Sequence, residues 1–198
     1  MKKYLKDLVR HNLFWILLIV LISVPASLPL LHEGFYHFSD EPHIANLYEM
    51  VRAISSGQIP PRMAPDINFG FGYPLFNFYY PLPYYFGSLF YFVTNSLVLS
   101  IKLVFLLTIP LSGIFMFFWL KNHTARFGAL IGSIIYVYTP YRALDLYVRG
   151  ALGETFAFVF FPLMGLVIDR VIKNTQYKNV GMLSIITGLL FFHTIWRH

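Results

Sequence analysis

The segment "NLFWILLIVLISVPASLPLL", Asn12–Leu31, decides the fold class. An apolar run of about 20 residues is long enough to cross the ~30 Å hydrocarbon core of a bilayer as a helix. It is preceded by Lys2, Lys3, Lys6 and Arg10, the basic flank expected on the cytoplasmic side. A cleaved signal peptide is the competing interpretation, because "ASL" offers small residues. The apolar run is longer than a signal-peptide core and ends in prolines, so we interpret it as a retained membrane anchor.

Composition extends this conclusion to the whole chain. Its 198 residues are 57% hydrophobic and 19% aromatic, and only 12% are charged, whereas soluble domains carry about a quarter charged residues. Cysteine is absent, which excludes disulfides and thiol chemistry. The net charge of +6 comes from basic residues lying between apolar runs, without a basic stripe or a nucleic-acid motif. The chain therefore belongs to the membrane class, and we predict no nucleic-acid partner.

Further apolar runs predict an all-α polytopic membrane protein, a single membrane domain with about five transmembrane helices. The predicted spans are 12–31, 100–120, 127–141, 154–172 and 181–195. A first outer loop, 32–96, is predicted to carry a surface helix at 41–57 and an interfacial helix at 84–96. The stretch 84–96 is too short to span comfortably, although a spanning alternative stays open. A second outer loop covers 142–153.

The distribution of basic residues orients these spans. If 84–96 does not span, nine of the 15 Lys and Arg residues lie inside, and seven of the nine acids lie outside. If 84–96 spans, eight of the basic residues lie on one side of the membrane and seven on the other. The positive-inside rule favours the first topology, with a cytoplasmic N terminus in the cell membrane and both loops on the outer face.

The predicted surface helix is amphipathic. Apolar residues recur at helical spacing from Ile44 to Ile54, and Asn46 and Glu49 fall on the opposite, polar side. We expect such a helix to lie flat on the bilayer with its polar side toward water.

A paired acid and several histidines surround the start of this helix. Asp40 and Glu41 would lie near the lipid headgroups, although Asp40 equally suits the N-cap of the helix. His37 and His43, with His32 nearby, offer imidazoles that could bind a divalent metal ion together with Asp40. Such ligands suit Mg, Mn or Zn, but outer-face histidines are commonly only solvated. No other cofactor is predicted.

An aromatic stretch follows this helix in the first outer loop. Ten of the eighteen residues from Phe69 to Phe86 are aromatic, and interspersed Gly and Pro exclude a regular helix. Aromatic rings stack on sugars and pack on prenyl chains, and they also form the interfacial belt of membrane proteins. Both interpretations stay open. The candidate contacts with sugar or lipid are Tyr73, Phe76, Tyr79 and Tyr80.

The second outer loop concentrates charge. Arg142, Asp145 and Arg149 are spaced so that one helical face could carry all three, and Glu154 follows closely. Two guanidinium groups match the oxygens of a phosphate, so these residues are candidates for binding a phosphorylated donor, with Arg62 as a lesser candidate. The alternative is an Arg–Asp pair that satisfies itself at the membrane surface.

Two blocks of sequence carry a resemblance to a known family. They are "SDEPHIANLYEMVRAISSGQIPPRMAPDINFGFGYPLFNFYYPLPYY" and "YTPYRALDLYVRGALGETFAF". The chain resembles prokaryotic integral-membrane proteins labelled 6-pyruvoyl-tetrahydropterin synthase-related, and its arrangement is similar to the N-terminal half of GT-C glycosyltransferases. Such enzymes have eight or more spans, so the resemblance implies that this chain is an N-terminal fragment.

The resemblance implies a function and roles for the candidate residues. GT-C enzymes move a sugar from a polyprenyl-phosphate carrier in the membrane lipid and place an acidic residue in the first outer loop, where Asp40 and Glu41 stand. A second acidic motif in the next outer loop corresponds to Asp145 and Glu154. Asp40 is then expected to act as general base. The rival interpretations are a transporter component, an assembly partner or an inactive remnant; the oligomeric state is open.

Overall fold

The structure is a computed structural model that describes residues 2–34 and 42–194, with side chains for 12–34 and 42–190. Every element assigned within these residues is helical, which confirms the predicted all-α class for this part of the chain. A 3-10 turn (Leu28–Leu31) follows α1, and a π-helical turn (Asp145–Arg149) follows α7. The helices are α1 (Lys2–Ser27), α2 (His43–Ser55), α3 (Leu75–Phe78), α4 (Leu82–Thr94), α5 (Leu97–Leu120), α6 (Arg126–Val137), α7 (Pro140–Leu144), α8 (Leu152–Lys173) and α9 (Tyr177–Thr194).

Three stretches of the described residues are long and apolar enough to cross a membrane. They are Asn12–Leu31, Leu97–Leu120 and Leu152–Lys173. The membrane class is therefore supported by length and composition at three of the predicted spans. Helix α6 has 12 residues, a rise of about 18 Å, which is shorter than the hydrocarbon core. The spans at 127–141 and 181–195 stay predictions.

Helix α5 is central and packs against α1, α4, α6 and α8. Near its start, the Lys102 Nζ donates a hydrogen bond to the carbonyl oxygen of His32 at 2.5 Å. At its other end, the Lys121 Nζ donates to Asn12 Oδ1 at 3.2 Å. Because each end of α5 meets the opposite end of the first apolar run, α1 and α5 are antiparallel.

Helix α2 is part of the bundle, where sequence analysis predicted a helix lying flat on the bilayer. It begins at His43 with Pro42 as N-cap, close to the predicted start at 41. It packs against α4 and α5 and buries Asn46 and Glu49, so the prediction that these two face water was wrong. Both gain internal partners: the Asn46 Nδ2 donates to the Tyr84 hydroxyl, and Glu49 Oε2 accepts from the amide of Asp66. Satisfied polar groups of this kind can be buried at little cost.

Candidate functional site

A group of polar side chains lies where α2, α4, the π-helical turn and the start of α8 meet. We call it the polar cluster, and it holds four of the charged residues singled out in the sequence together with three uncharged partners. Asp40, Glu41 and His37, also singled out, lie outside the described residues. The members of the polar cluster are His43, Asn46, Tyr84, Arg142, Asp145, Arg149 and Glu154.

His43 connects the first outer segment to the second. It is fully buried, its Nδ1 lies 3.2 Å from the Tyr84 hydroxyl, and its Nε2 contacts the carbonyl oxygen of Gly150. A carbonyl oxygen can only accept, so Nε2 must carry a proton. Asn46 Nδ2 donates to the Tyr84 oxygen at 3.2 Å, so the Tyr84 hydroxyl contacts both His43 and Asn46. Hydrogen bonds thus connect α2 to α4 and to Gly150, the residue after the π-helical turn.

The hydrogen bonds of His43 and His32 are relevant to the hypothesis of a metal site. Both ring nitrogens of His43 are engaged, so neither is open to a metal ion as the side chain stands. His32 is exposed and its Nδ1 lies 2.6 Å from the Glu33 carbonyl oxygen. Among the residues that the structure describes, no three His, Asp or Glu side chains are grouped to hold a metal. His37 and Asp40 lie outside that part, so the metal site stays a prediction.

Arg149 is held by two carboxylates. Its Nη1 donates to Asp145 Oδ1 at 2.9 Å and to Glu154 Oε2 at 3.0 Å, and its Nη2 donates to Glu154 Oε1 at 2.9 Å. The Tyr141 hydroxyl adds a bond to Glu154 Oε2 at 2.5 Å. The pairing of one guanidinium with both oxygens of Glu154 is the strong, two-point form of this interaction. Arg149 keeps 27% of its side chain exposed, so a ligand can still reach it.

Arg142 is buried and only partly satisfied. Its side chain is 2% exposed, its Nη1 donates to the Ser112 hydroxyl, and its guanidinium lies over the Phe158 ring at 5.2 Å. Within the described residues, Nε and Nη2 of Arg142 have no hydrogen-bond partner. Burial lowers the pKa of Arg142 to about 10, which still leaves the group charged at neutral pH. The site therefore holds a positive charge and two donor nitrogens, Nε and Nη2, that have no acceptor among the described residues.

Arg142 also lies deeper than the sequence suggests. We predicted a group on the outer loop, but its partner Ser112 is about 22 Å along α5 from Leu97, at 1.5 Å per residue. The physical reason is the short α6, which ends at Val137 and lets the chain turn inside the bundle. Charged side chains at such depth are rare and commonly functional.

Arg142, Asp145 and Arg149 were predicted to share one helical face, but their side chains make different contacts. Asp145 and Arg149 are joined, whereas Arg142 is directed to α5. The prediction assumed 3.6 residues per turn throughout, but the chain winds as a π-helix over Asp145–Arg149 and ends at Gly150, with φ of 67°. Asp145 and Arg149 stay joined across this turn, while Arg142, on α7 before it, donates to Ser112 of α5.

The aromatic candidates occupy different environments. Phe76 is in the core at 5% exposure, and Tyr73 is 42% exposed. Tyr80 stacks on Tyr84 with ring centroids 6.0 Å apart and so touches the polar cluster, and Tyr79 contacts Tyr80 at 5.5 Å. Of the four, Tyr80 and its neighbour Tyr79 are therefore nearest the site. Arg62 is exposed, on the loop before α3.

Sequence reasoning missed Asn46, Tyr84 and Ser112 as members or partners of the site. Asn46 follows His43 by one helical turn, so a shared buried face could have been proposed from spacing. Tyr84 is one ring among many in its stretch, and Ser112 is one hydroxyl in an apolar helix. The neighbouring sequence marks neither residue as part of a site, because their roles depend on contacts with residues far away in the chain.

No protein-family model matches the chain, and no solved structure matches it. A protein of Lactococcus lactis subsp. cremoris (strain MG1363), named as an uncharacterized protein, is 27% identical over 198 residues. The similarity covers 96% of this chain and 32% of the relative, so the chain spans about a third of that protein's length. The likeness is thus to one part of a longer protein, and what the whole protein does is a matter for proposal.

Proposed function

We propose that the chain is the N-terminal part of a GT-C-like membrane glycosyltransferase that takes its sugar from a polyprenyl-phosphate donor. In this proposal the chain is multi-pass with about five spans and a cytoplasmic N terminus. The donor phosphate binds at the outer face, and Arg149, Arg142 and more weakly Arg62 are the basic groups that attract it. Asp145 and Glu154 orient Arg149 by the hydrogen bonds described above.

One observation carries the proposal: the contact of the His43 ring with the Gly150 carbonyl. It joins the start of α2 to the residue after Arg149 across 107 positions of sequence. Asp40 precedes His43 by three residues, and a chain of that length spans at most about 11 Å. Asp40 therefore lies at most about 11 Å along the chain from His43, and we propose that its carboxylate acts beside the cationic groups of the second segment, as transfer from an anionic carrier requires.

The reaction that fits this arrangement is inverting transfer. Asp40 accepts the proton of an acceptor hydroxyl, whose oxygen forms a bond to the anomeric carbon. The bond from that carbon to the phosphate oxygen breaks, and its electron pair leaves with polyprenyl phosphate. Arg149 and Arg142 stabilise the negative charge on the leaving group, an electrostatic contribution that is commonly the largest in catalysis. Glu41 is the alternative base, Tyr79 and Tyr80 are candidates to pack on sugar or prenyl, and a divalent metal ion remains an optional partner.

The test is transfer by the longer protein of which the chain is proposed to be the N-terminal part, in proteoliposomes containing a panel of polyprenyl-phosphate-linked sugars, followed as release of polyprenyl phosphate above the rate without protein. Asp40→Asn is expected to lower the rate about 10²–10⁴-fold, the usual contribution of a general base. Asp66→Asn is the matched control, because Asp66 in the same segment is an exposed carboxylate that pairs with the exposed Arg52. Equal rates for the two variants would remove Asp40 from the base role.

A second candidate, a non-catalytic membrane protein such as a transporter component or assembly partner, is favoured by a different observation. Arg149 is already satisfied by Asp145 and Glu154, as expected of a structural ion pair. Binding of polyprenyl phosphate distinguishes the two. Under the glycosyltransferase proposal Arg149→Gln weakens this binding, whereas under the structural candidate it lowers stability and no specific binding is measured.

A further inference from the structure

A small hairpin in the first outer segment has no place in the glycosyltransferase proposal. Ala64 and Tyr73 exchange backbone hydrogen bonds at 2.8 and 3.0 Å, and the chain between them reverses direction. We call residues 64–73 the aromatic hairpin. Its turn is closed by bonds from the Gly72 amide to the Ile67 carbonyl at 3.0 Å and from the Phe71 amide to the Asn68 carbonyl at 3.1 Å. The hairpin is therefore an ordered element with a defined tip.

The tip exposes two large apolar side chains. Phe69 is 99% exposed and Phe71 is 85% exposed. Leaving phenylalanine side chains in water instead of burying them forgoes favourable hydrophobic free energy. Phe69 also has φ of 57°, in the left-handed region that bulky residues rarely adopt, next to Asn68 at 59°. Backbone conformations of this kind persist where the surrounding bonds impose them, and they are concentrated at functional positions.

Charge is confined to the base of the hairpin. The Arg52 Nη2 lies 3.3 Å from Asp66 Oδ1, and the Asp66 amide donates to Glu49 Oε2 at 3.1 Å, so the base is fixed to α2. Beyond Asp66 the sequence has no charged residue until Lys102. Polarity therefore falls from base to tip, the gradient that suits a segment crossing from headgroups into acyl chains.

The segment that contains the hairpin indicates what covers its tip. It joins Leu31, the end of one candidate span, to Leu97, the start of another. Since α1 and α5 are antiparallel, Leu31 and Leu97 lie at the same end of the bundle, and the hairpin belongs to the connection between them. From these observations we infer that Phe69 and Phe71 insert into the outer boundary of the lipid bilayer and anchor the segment there. This inference is independent of any catalytic activity.

The experiment uses the absence of cysteine from the chain. Phe71→Cys introduces a single labelling site at the tip, and Ser55→Cys introduces one at the exposed end of α2 as the control. Each variant is spin-labelled and reconstituted in nanodiscs of phosphatidylcholine and phosphatidylglycerol. Collision rates of the label with oxygen, which concentrates in lipid, and with a water-soluble nickel chelate are then measured. Unchanged Tm values verify that both variants are folded.

Insertion predicts that the label at 71 collides more with oxygen and less with nickel than the label at 55, which reverses the ratio between the two positions. Equal nickel access at 71 and 55 would overturn the inference, because the tip would then lie in water. Low access to both reagents at 71 would overturn it as well, because the tip would then be covered by protein, such as a second copy of the chain.

Discussion

The two ends of the bundle differ in which side chains they bury. From the end where α5 begins to as far along α5 as Ser112, the interior contains the polar cluster, with charged side chains as deeply buried as Asp145 and Arg142. At the end where α5 finishes, most of the buried side chains are apolar, although Asn12 and Ser133 are buried there as well. We call that second group the apolar cluster, and its buried members are Ile19, Phe117, Phe118, Ala129, Leu130 and Leu166.

The two clusters are stabilised by different interactions. The apolar cluster depends on close fit: Trp15 stacks on Phe117 at 6.2 Å, and Gly165 leaves room for the ring of Trp119. Polar burial costs free energy unless every group finds a partner, so the polar cluster depends on complete hydrogen bonding. The polar cluster costs stability, and Nε and Nη2 of Arg142 have no hydrogen-bond partner in the described residues. A function explains this arrangement better than folding does.

The largest expected effect concerns topology. We expect the two ends of the bundle to lie on opposite sides of the membrane. We expect an impermeant thiol reagent applied to intact cells to label Ser55→Cys and to leave Asn122→Cys unlabelled. Both positions are exposed, and they flank opposite ends of α5. Permeabilised cells, in which both label, provide the control. Labelling of Asn122→Cys from outside would place the apolar cluster at the outer face and contradict the orientation proposed for the polar cluster.

The next effect concerns one carboxylate at each end. Asp145→Asn is expected to cost about 3–5 kcal/mol of unfolding free energy, because it leaves the buried guanidinium of Arg142 without the carboxylate charge that lies near it. The same change at Asp169 is the control, since that carboxylate bonds His123, whose side chain is 52% exposed, at 2.6 Å. There we expect a loss of about 1 kcal/mol or less. Unfolding of each variant in detergent gives both values, and equal losses would remove the distinction between the two ends.

The close fit of the apolar end predicts an intermediate effect. A Cβ added at Gly165 would lie 2.5 Å from Cε2 of Trp119, so Gly165→Ala is expected to cost about 1–3 kcal/mol through overpacking. A Cβ added at Gly188 in α9 would meet nothing within 4 Å, so Gly188→Ala is expected to be neutral or slightly stabilising. A shift of Tm in the same direction and size for both variants would show that packing around Trp119 is loose.

The two ends also differ in how far the sequence predicts them. Three candidate spans follow directly from apolar runs, because length and hydropathy alone decide them. The local pairing of Arg149 with Asp145 could be foreseen as an alternative from spacing. The contact of Arg142 with Ser112 could not be foreseen, since it depends on where α6 ends and on the packing of α7 against α5. Likewise, the burial of Asn46 follows from α4 covering α2, a contact between distant parts of the chain.

The smallest expected effect tests whether burial, and not charge pairing as such, distinguishes the polar cluster. Arg52 and Asp66 form an ion pair at 3.3 Å, but their side chains are 53% and 41% exposed. A double-mutant cycle with Arg52→Gln and Asp66→Asn is expected to give a coupling energy of about 0.2–1 kcal/mol that falls as salt is added. A cycle on Arg149→Gln and Asp145→Asn should give a larger coupling that salt changes less, because Asp145 is fully buried. If both cycles give the same energy and the same salt dependence, the interior position of Asp145 contributes nothing to the pair.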